Sequence, residues 1–410
     1  MKLDWSKRIL FGFQHALAMF GATVLVPFLT GLDISVALFT AGVGTLLFHL
    51  LTKKKVPVFL GSSFAFIAPI LSVKAMYATP GDPDAGLPYA TGGIIITGLI
   101  YVVAAGLIKI FGSDIMKRLL PPVVIGPIIV TIGLTLTPVA YDMAKTHWGV
   151  ALISMLTVAL VNVFGKGIYR SLPIMFGVGT GYAASLVFNL VDVQPILDAK
   201  FLALPNFMAP KFSLDAIAVV APIALVTIVE HLGDISTIGA TTGEDYIADP
   251  GLHRTLLSDG LATSLAGLVG GPSNTTYSEN TGVLAVTKVY DPSVLRVAGV
   301  IAILMSVLGK FGALISTIPE PVMGGISVIL FGMIASVGMR VMVENKIDFS
   351  SGRNMLIAAF VLTLGMMSIL GENNPAVIDL GFIQLQGLSL ATIVGIILNL
   401  ILPEEKPESK

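Results

Sequence analysis

Gly271-Pro272-Ser273-Asn274-Thr275-Thr276-Tyr277-Ser278-Glu279-Asn280-Thr281-Gly282 lies between the apolar runs 261–270 and 283–286. Another membrane-spanning segment is due at this point of the chain. Glycine, proline, hydroxyls, amides and a carboxylate in one run cannot face lipid. Each unsatisfied backbone group there costs several kcal/mol, and a carboxylate at the bilayer centre costs about 2.5–3.5 kcal/mol. Such a segment survives only against other protein or beside a water-filled cavity. Broken backbone of this kind marks a substrate site in membrane transporters.

The composition supports the membrane reading. Hydrophobic residues make up 55% of the 410 residues and charged residues only 12%. The mean hydropathy is +0.90. A soluble domain carries about 25% charged residues. Cysteine is absent, which removes disulfides, thiolate metal sites and cysteine nucleophiles. The apolar run that follows the charged start at residues 1–8 is too long for a signal peptide and reads as the first span.

Span length predicts about fourteen segments, so an all-α polytopic membrane protein is expected. The first repeat covers 9–29, 35–52, an interrupted 57–77, 91–111, 120–141, 148–164 and 172–191. The second covers 214–236, 255–270, an interrupted 271–290, 293–315, 322–343, 354–370 and 388–402. With the N-terminus inside, 19 of the 24 Lys and Arg fall on the inner side and five outside. This bias predicts cytoplasmic N- and C-termini in a cytoplasmic (inner) membrane.

The two halves, 1–191 and 192–410, echo each other. Residues 120–130 align without gaps to 318–328, matching Pro121 with Pro319, Val124 with Val322, Gly126 with Gly324, Ile128 with Ile326 and Val130 with Val328. Gln14-His15 recurs as Glu230-His231, and Gly61-Ser62-Ser63 as Gly271-Pro272-Ser273. Seven spans per half is odd, so the repeats run in opposite directions. Inverted repeats with interrupted segments at matching places point to a secondary transporter.

Three carboxylates within spans carry the expected chemistry: Glu230, Asp234 and Glu279. Glu230 and Asp234 are one helical turn apart, which disfavours ionisation of both and suits proton coupling. Asn280 reads as the cap of a half-helix at 281–290, with Ser278 and Glu279 presenting a donor and an acceptor beside it. Phe64 occupies the matching place in the third span. Carboxylates accept from ring N–H groups and fixed amides donate to ring carbonyls, so a flat heterocycle such as a nucleobase fits. His15, His49, His147, His231 and His253 have no metal-ligand spacing, and neither a metal nor a cofactor is expected. There is no Walker A loop, no nucleophile–base pattern and no basic patch with interleaved aromatics. ATP-driven transport, catalysis and nucleic-acid binding are therefore not indicated.

Several motifs resemble the nucleobase–ascorbate transporter family, and within it the bacterial uracil permeases. They are Gln14-His15 with Met19-Phe20-Gly21-Ala22-Thr23-Val24-Leu25-Val26-Pro27, Gly61-Ser62-Ser63-Phe64-Ala65-Phe66, Glu230-His231-Leu232-Gly233-Asp234, and Pro250-Gly251-Leu252-His253-Arg254. The most specific is the run Asn274 to Gly282 followed by Val283-Leu284-Ala285-Val286-Thr287-Lys288. The resemblance covers nearly the whole chain.

It implies a core domain of spans 1–4 and 8–11 and a gate domain of spans 5–7 and 12–14, with short strands in spans 3 and 10. Glu230 and Glu279 would hold a pyrimidine ring, and the backbone of Phe64 and Ser278 would meet its carbonyls. Ala22, Tyr277 and Phe331 would line the pocket. Uracil with a proton is the implied cargo, a xanthine or urate permease the alternative, and an anion exchanger or channel of similar fold the rival outside nucleobase transport. A homodimer formed through the gate is also implied. Some uracil permeases carry His in place of Asp234, Gly in place of Ser278 and Tyr in place of Phe331. The first difference bears on proton coupling and the second on selectivity.

Overall fold

The computed structural model of the chain describes residues 4–112, 121–367, 377–379 and 384–403. In chain order come α1 (Trp5–Thr30), α2 (Ile34–Leu51), β1 (Leu60–Ser62), α3 (Ile67–Tyr77) and α4 (Leu87–Phe111). Next are α5 (Pro122–Thr135), α6 (Thr137–Ala144), α7 (Trp148–Phe164), α8 (Pro173–Val187) and α9 (Gln194–Asp198). Then follow α10 (Leu214–Val220), α11 (Ile223–Thr242), α12 (Leu252–Leu268), β2 (Asn274–Thr276) and α13 (Ser278–Thr287). The remainder is α14 (Pro292–Ser306), α15 (Gly309–Ser316), α16 (Glu320–Glu344), α17 (Gly352–Met366), β3 (Val377–Asp379), β4 (Gln384–Gln386) and α18 (Gly387–Ile401).

Among the described residues, six helical stretches are long and apolar enough to cross a bilayer: Trp5–Thr30, Ile34–Leu51, Leu87–Phe111, Pro122–Ala144, Leu214–Thr242 and Glu320–Glu344. Shorter apolar helices accompany them.

Local chemistry sets the helix ends. Asp33 accepts a hydrogen bond from Val36 N–H at 2.9 Å and so caps α2. Gly31 ends α1 in the left-handed region, φ 89°, and donates to Pro27 O at 2.9 Å. Pro222 separates α10 from α11 by removing an N–H.

The predicted single span at 293–315 is broken in the structure. Ala203 N–H donates to Val307 O at 3.0 Å, and Gly309 N–H to Phe201 O at 3.0 Å. The loop before α10 thus inserts a short bridge that diverts the backbone between α14 and α15. The hairpin of β3 and β4 has no counterpart in the sequence reading.

Small residues let the central helices touch. A Cβ on Gly98 of α4 would lie 2.4 Å from Gly260 O of α12, and one on Gly42 of α2 would lie 2.5 Å from Gly299 O of α14. Hydrocarbon supplies no hydrophobic drive between helices, so such contacts carry the packing. The largest apolar cluster links α1 to α16 through Met19, Leu25, Leu295, Val322 and Phe331.

Candidate functional site

The broken segments at 57–77 and 271–290 meet each other, so each satisfies the backbone of the other. β1 and β2 pair antiparallel in the register Leu60↔Thr276, Gly61↔Thr275 and Ser62↔Asn274. Ser63 N–H donates to Ser273 O at 2.9 Å and Tyr277 N–H to Phe59 O at 3.2 Å, which extends the ladder at both ends. Side chains satisfy more of the unwound backbone. Thr263 Oγ1 donates to Asn274 O at 2.8 Å, and Leu60 N–H donates to Thr45 Oγ1 at 2.9 Å. Asn274 Nδ2 donates to Thr40 O at 3.0 Å. Residues 271–277 are buried throughout. The stretch is therefore a pinned strand and not an open polar loop.

Gly61 is dictated by its neighbours: a Cβ there would lie 2.4 Å from Tyr277 Cζ. The tyrosine ring crosses the strand, and its hydroxyl donates to Ser62 O at 2.8 Å.

Both strands run into helix starts. Phe64 opens the turn Phe64–Phe66 that leads into α3, and Ser278 opens α13. Neither start has a side-chain cap, because the cap positions Ser63 and Tyr277 make no such bond. Their first-turn amides thus carry the positive end of each half-helix toward the strand pair. α11 packs on α13, on β2 and on the Phe64–Phe66 turn, while α1 packs on β1, α3 and α13. Four separate parts of the sequence converge here.

The residues named from sequence fall as follows. Glu230 is exposed on α11, on a stripe it shares with Gly233, Ser236, Thr237 and Ala240. Asp234, one turn on, is buried and accepts a hydrogen bond from Thr276 Oγ1 at 2.9 Å. The two acids so occupy different environments although they share a helix. Ala22, Tyr277 and Phe331 are buried in one apolar cluster, with Phe64 packed against it. The side chains of Ser278 and Glu279 lie outside the described residues, and their backbone forms the first turn of α13. Asn280 is not the cap expected from the sequence. It stands inside α13, and its Nδ2 reaches 3.0 Å from His15 Nδ1 and donates to His15 O at 3.3 Å. That bond ties α13 to α1.

A model of a permease family, Xan_ur_permease, matches residues 6–373. The chain belongs to the nucleobase–ascorbate transporter family. It is 45% identical to a probable uracil permease of Haemophilus influenzae, over 98% of this chain and 96% of the relative. Identity to the uracil permease of Bacillus subtilis is 42%, over 97% and 93%, and to that of Escherichia coli 39%, over 95% and 89%.

Among solved structures, the transmembrane domain of a cyanobacterium bicarbonate transporter, BicA, is similar with a TM-score of 0.64, 15% identity and coverage of 97% and 98%. The murine anion transporter Slc26a9 in its inward-facing state is similar with a TM-score of 0.70, 13% identity and coverage of 98% and 68%. These two show a shared membrane-transporter fold. Together with the apolar helices, the family makes this nucleobase–ascorbate transporter family member a multi-pass membrane protein.

Sequence reasoning missed a fourth carboxylate, which the structure buries. Asp259 lies in α12 and is 1% exposed, with its Oδ2 2.8 Å from Nδ1 of the fully buried His231. His231 Nε2 lies 2.9 Å from Thr255 Oγ1. The signal was present, because Asp259 stands inside the predicted span 255–270. Thr276, the partner of Asp234, carried no signal beyond its place in the broken segment.

Proposed function

We propose that the chain is a secondary-active symporter that imports uracil with a proton by alternating access. The observation that carries this reading is the placement of Glu230. It is exposed on the face of α11 that is lined by small and polar residues, and α11 packs against both half-helix starts. A carboxylate that accepts from ring N–H groups beside amides that donate to ring carbonyls matches the edge of a pyrimidine dione. Glu230 and Glu279 hold the ring, the backbone of Phe64 and Ser278 meets its carbonyls, and Ala22, Tyr277 and Phe331 shape the apolar wall. The uracil permeases among its relatives support the choice of base.

Packing supports fourteen spans in two inverted repeats. α4 lies on α12 as α2 lies on α14, and α7 pairs with α8 as α17 pairs with α18. Each is the partner expected when one half is laid on the other. The matched prolines Pro121 and Pro319 both cap their helices. α5 packs on α16 and α17, while α2, α4, α12 and α14 pack among themselves, in keeping with a gate and a core. Leu225 and Val229 of α11 meet Ile125 and Ile129 of α5, an apolar seam along which the two can slide.

Asp234 is the residue proposed to carry the coupled proton, with Thr276 as its partner. A homodimer through the gate, an inner-membrane location and cytoplasmic termini complete the proposal.

No Lys or Arg occurs at 56–73 or 255–287, which favours a neutral base over an inorganic anion. The test is uptake of labelled uracil into vesicles with and without an inward proton gradient, competed by xanthine, bicarbonate and chloride. Accumulation that needs the gradient and yields only to uracil is expected. Competition by xanthine at equal concentration would transfer the reading to a xanthine permease. Uptake blocked by bicarbonate or chloride would overturn it, and Asp234→Asn with unaltered gradient dependence would remove the proton assignment.

A further inference from the structure

A groove of about 610 Å³ runs along the outside of α14 at the end that also carries the N-terminus. One helical face of α14 supplies Ser293, Arg296, Val297, Val300, Ile301 and Leu304 to its wall. Their spacing of three and four residues makes them a single stripe. Leu46 of α2 and Trp5, Arg8 and Ile9 of α1 close the other side.

The stripe is sorted along its length, with the polar groups at one end and only aliphatic side chains beyond. Eleven residues separate Ser293 from Leu304, which is about 16 Å of helix, close to half of the ~30 Å hydrocarbon thickness. The length of the stripe thus matches the depth of one leaflet.

Its polar end is short of acceptors. Among the described residues, Arg8 Nε and Arg296 Nη1 are shielded from solvent and have no hydrogen-bond partner, while the Ser293 hydroxyl lies beside the Asp291 carboxylate. All three residues line this groove. The neighbouring acid, Asp291, is already engaged. One of its oxygens accepts from Ser293 N–H at 2.8 Å, and the other lies 3.7 Å from Arg8 Nη2. Arg8, Arg296 and the neighbouring Lys7 face two carboxylates, Asp291 and the exposed Asp4, which leaves a net positive site. Buried donors without acceptors are costly, and two forks of this geometry suit a phosphate. Trp5 is 66% exposed beside Arg8, whose Cζ lies 5.6 Å from its ring centroid, an arrangement typical of the membrane interface.

We infer that this groove is a binding site for one anionic phospholipid of the leaflet on the N-terminal side. The phosphodiester sits between Arg8, Ser293 and Arg296. One acyl chain follows Val297, Val300, Ile301 and Leu304 toward the midplane. A soluble phosphate satisfies the arginines but leaves the aliphatic wall without an occupant, and a zwitterionic lipid brings no net charge to the pair. The site joins α1 to α14, and so lies apart from the strand pair.

The test is native mass spectrometry of the purified full-length chain titrated with phosphatidylglycerol, alongside phosphatidylcholine of the same acyl chains. Thermal unfolding with inorganic phosphate alone forms a separate arm. Wild type is expected to retain phosphatidylglycerol at least about tenfold more tightly than phosphatidylcholine, since each of the two basic groups near the surface contributes about fivefold. The double variant Arg8→Gln/Arg296→Gln is expected to lose that preference, and inorganic phosphate is expected to leave Tm unchanged. If the double variant does not fold, Val300→Trp fills the groove with both arginines intact and is expected to lose phosphatidylglycerol equally. Equal binding of the two lipids by wild type, retention of the preference in the variant, or a Tm rise with phosphate alone would each overturn the proposal.

Discussion

Along α7 the side chains left uncovered by protein include Leu152, Leu156, Leu160, Val163 and Phe164, from 43% to 72% exposed. Along α11 they are Glu230, Gly233, Ser236, Thr237 and Ala240. Both rows recur at helical spacing, so both are genuine faces. The first is a surface for hydrocarbon. The second holds no large apolar side chain. Its hydroxyls bond back to their own helix, Ser236 Oγ to Leu232 O at 2.8 Å and Thr237 Oγ1 to Gly233 O at 2.9 Å. Hydroxyls satisfied in this way tolerate lipid, whereas the Glu230 carboxylate does not. The difference between the rows therefore rests on one acid, and under the proposed function it makes the α11 face the wall of a wetted crevice. Exposure in a membrane protein acquires meaning only once the chemistry of the exposed face is read with it.

The widest separation between the two faces is expected from the same charge placed on each. Leu156→Asp should destabilise the protein by about 2.5–3.5 kcal/mol, while Thr237→Asp should stay within about 0.5 kcal/mol. Unfolding in mixed micelles measures both. Equal costs would break the comparison. Because the chain has no cysteine, Thr237→Cys and Leu156→Cys give a direct check with a membrane-impermeant thiol reagent. Only the first should react, and more slowly with uracil present.

Next in size is Glu230→Gln. The side chain is exposed, so folding should be preserved. Loss of a charged acceptor for a ring N–H should lower kcat/KM for uracil about 10- to 100-fold. Initial uptake rates across a range of uracil concentrations decide it. A variant with wild-type kinetics would detach the polar face from substrate binding.

Much of this was legible in the chain. A helix occupies Trp148–Phe164, the bounds predicted for a span, because a long apolar run between His147 and Gly165 has few other ways to satisfy its backbone. The two short strands were expected in the third and tenth spans, and their residues do pair. What stayed hidden depended on distant partners. Nothing local marks Thr276 as the group that meets Asp234, or Asn280 as a tie to His15 rather than a cap, since each bond joins segments far apart in sequence. The bridge that breaks α14 from α15 comes from residues 201–203, a stretch that reads only as loop. Periodicity shows which face of α11 is polar. It does not show that both half-helices lie against that helix.

A smaller effect is expected where the wetted face meets the strand pair. Gly61→Ala places a methyl group 2.4 Å from the Tyr277 ring. The ring sits in the largest apolar cluster and cannot simply swing aside, so the strands must part. A cost of about 1–3 kcal/mol is expected. Uptake should fall with it, since the half-helix starts lose their register. Stability lost with full uptake would mean that the substrate ignores the strand pair and meets α11 alone.

The mildest change asks whether polar satisfaction, rather than ring packing, holds the pair. Tyr277→Phe keeps the ring against Gly61 and removes only the hydroxyl that donates to Ser62 O at 2.8 Å. One buried neutral hydrogen bond contributes about 1 kcal/mol, and its loss leaves the carbonyl without that donor. A fall in stability of about that size is expected, with the affinity for uracil moved less than by Glu230→Gln, because this hydroxyl faces the strand and not the α11 crevice. Thermal unfolding and uracil binding on the same preparation separate the two quantities. If Tyr277→Phe weakened uracil binding as much as Glu230→Gln at unchanged Tm, the hydroxyl would belong to the substrate, and the boundary between pinned backbone and wetted face would have to be moved across the strand pair.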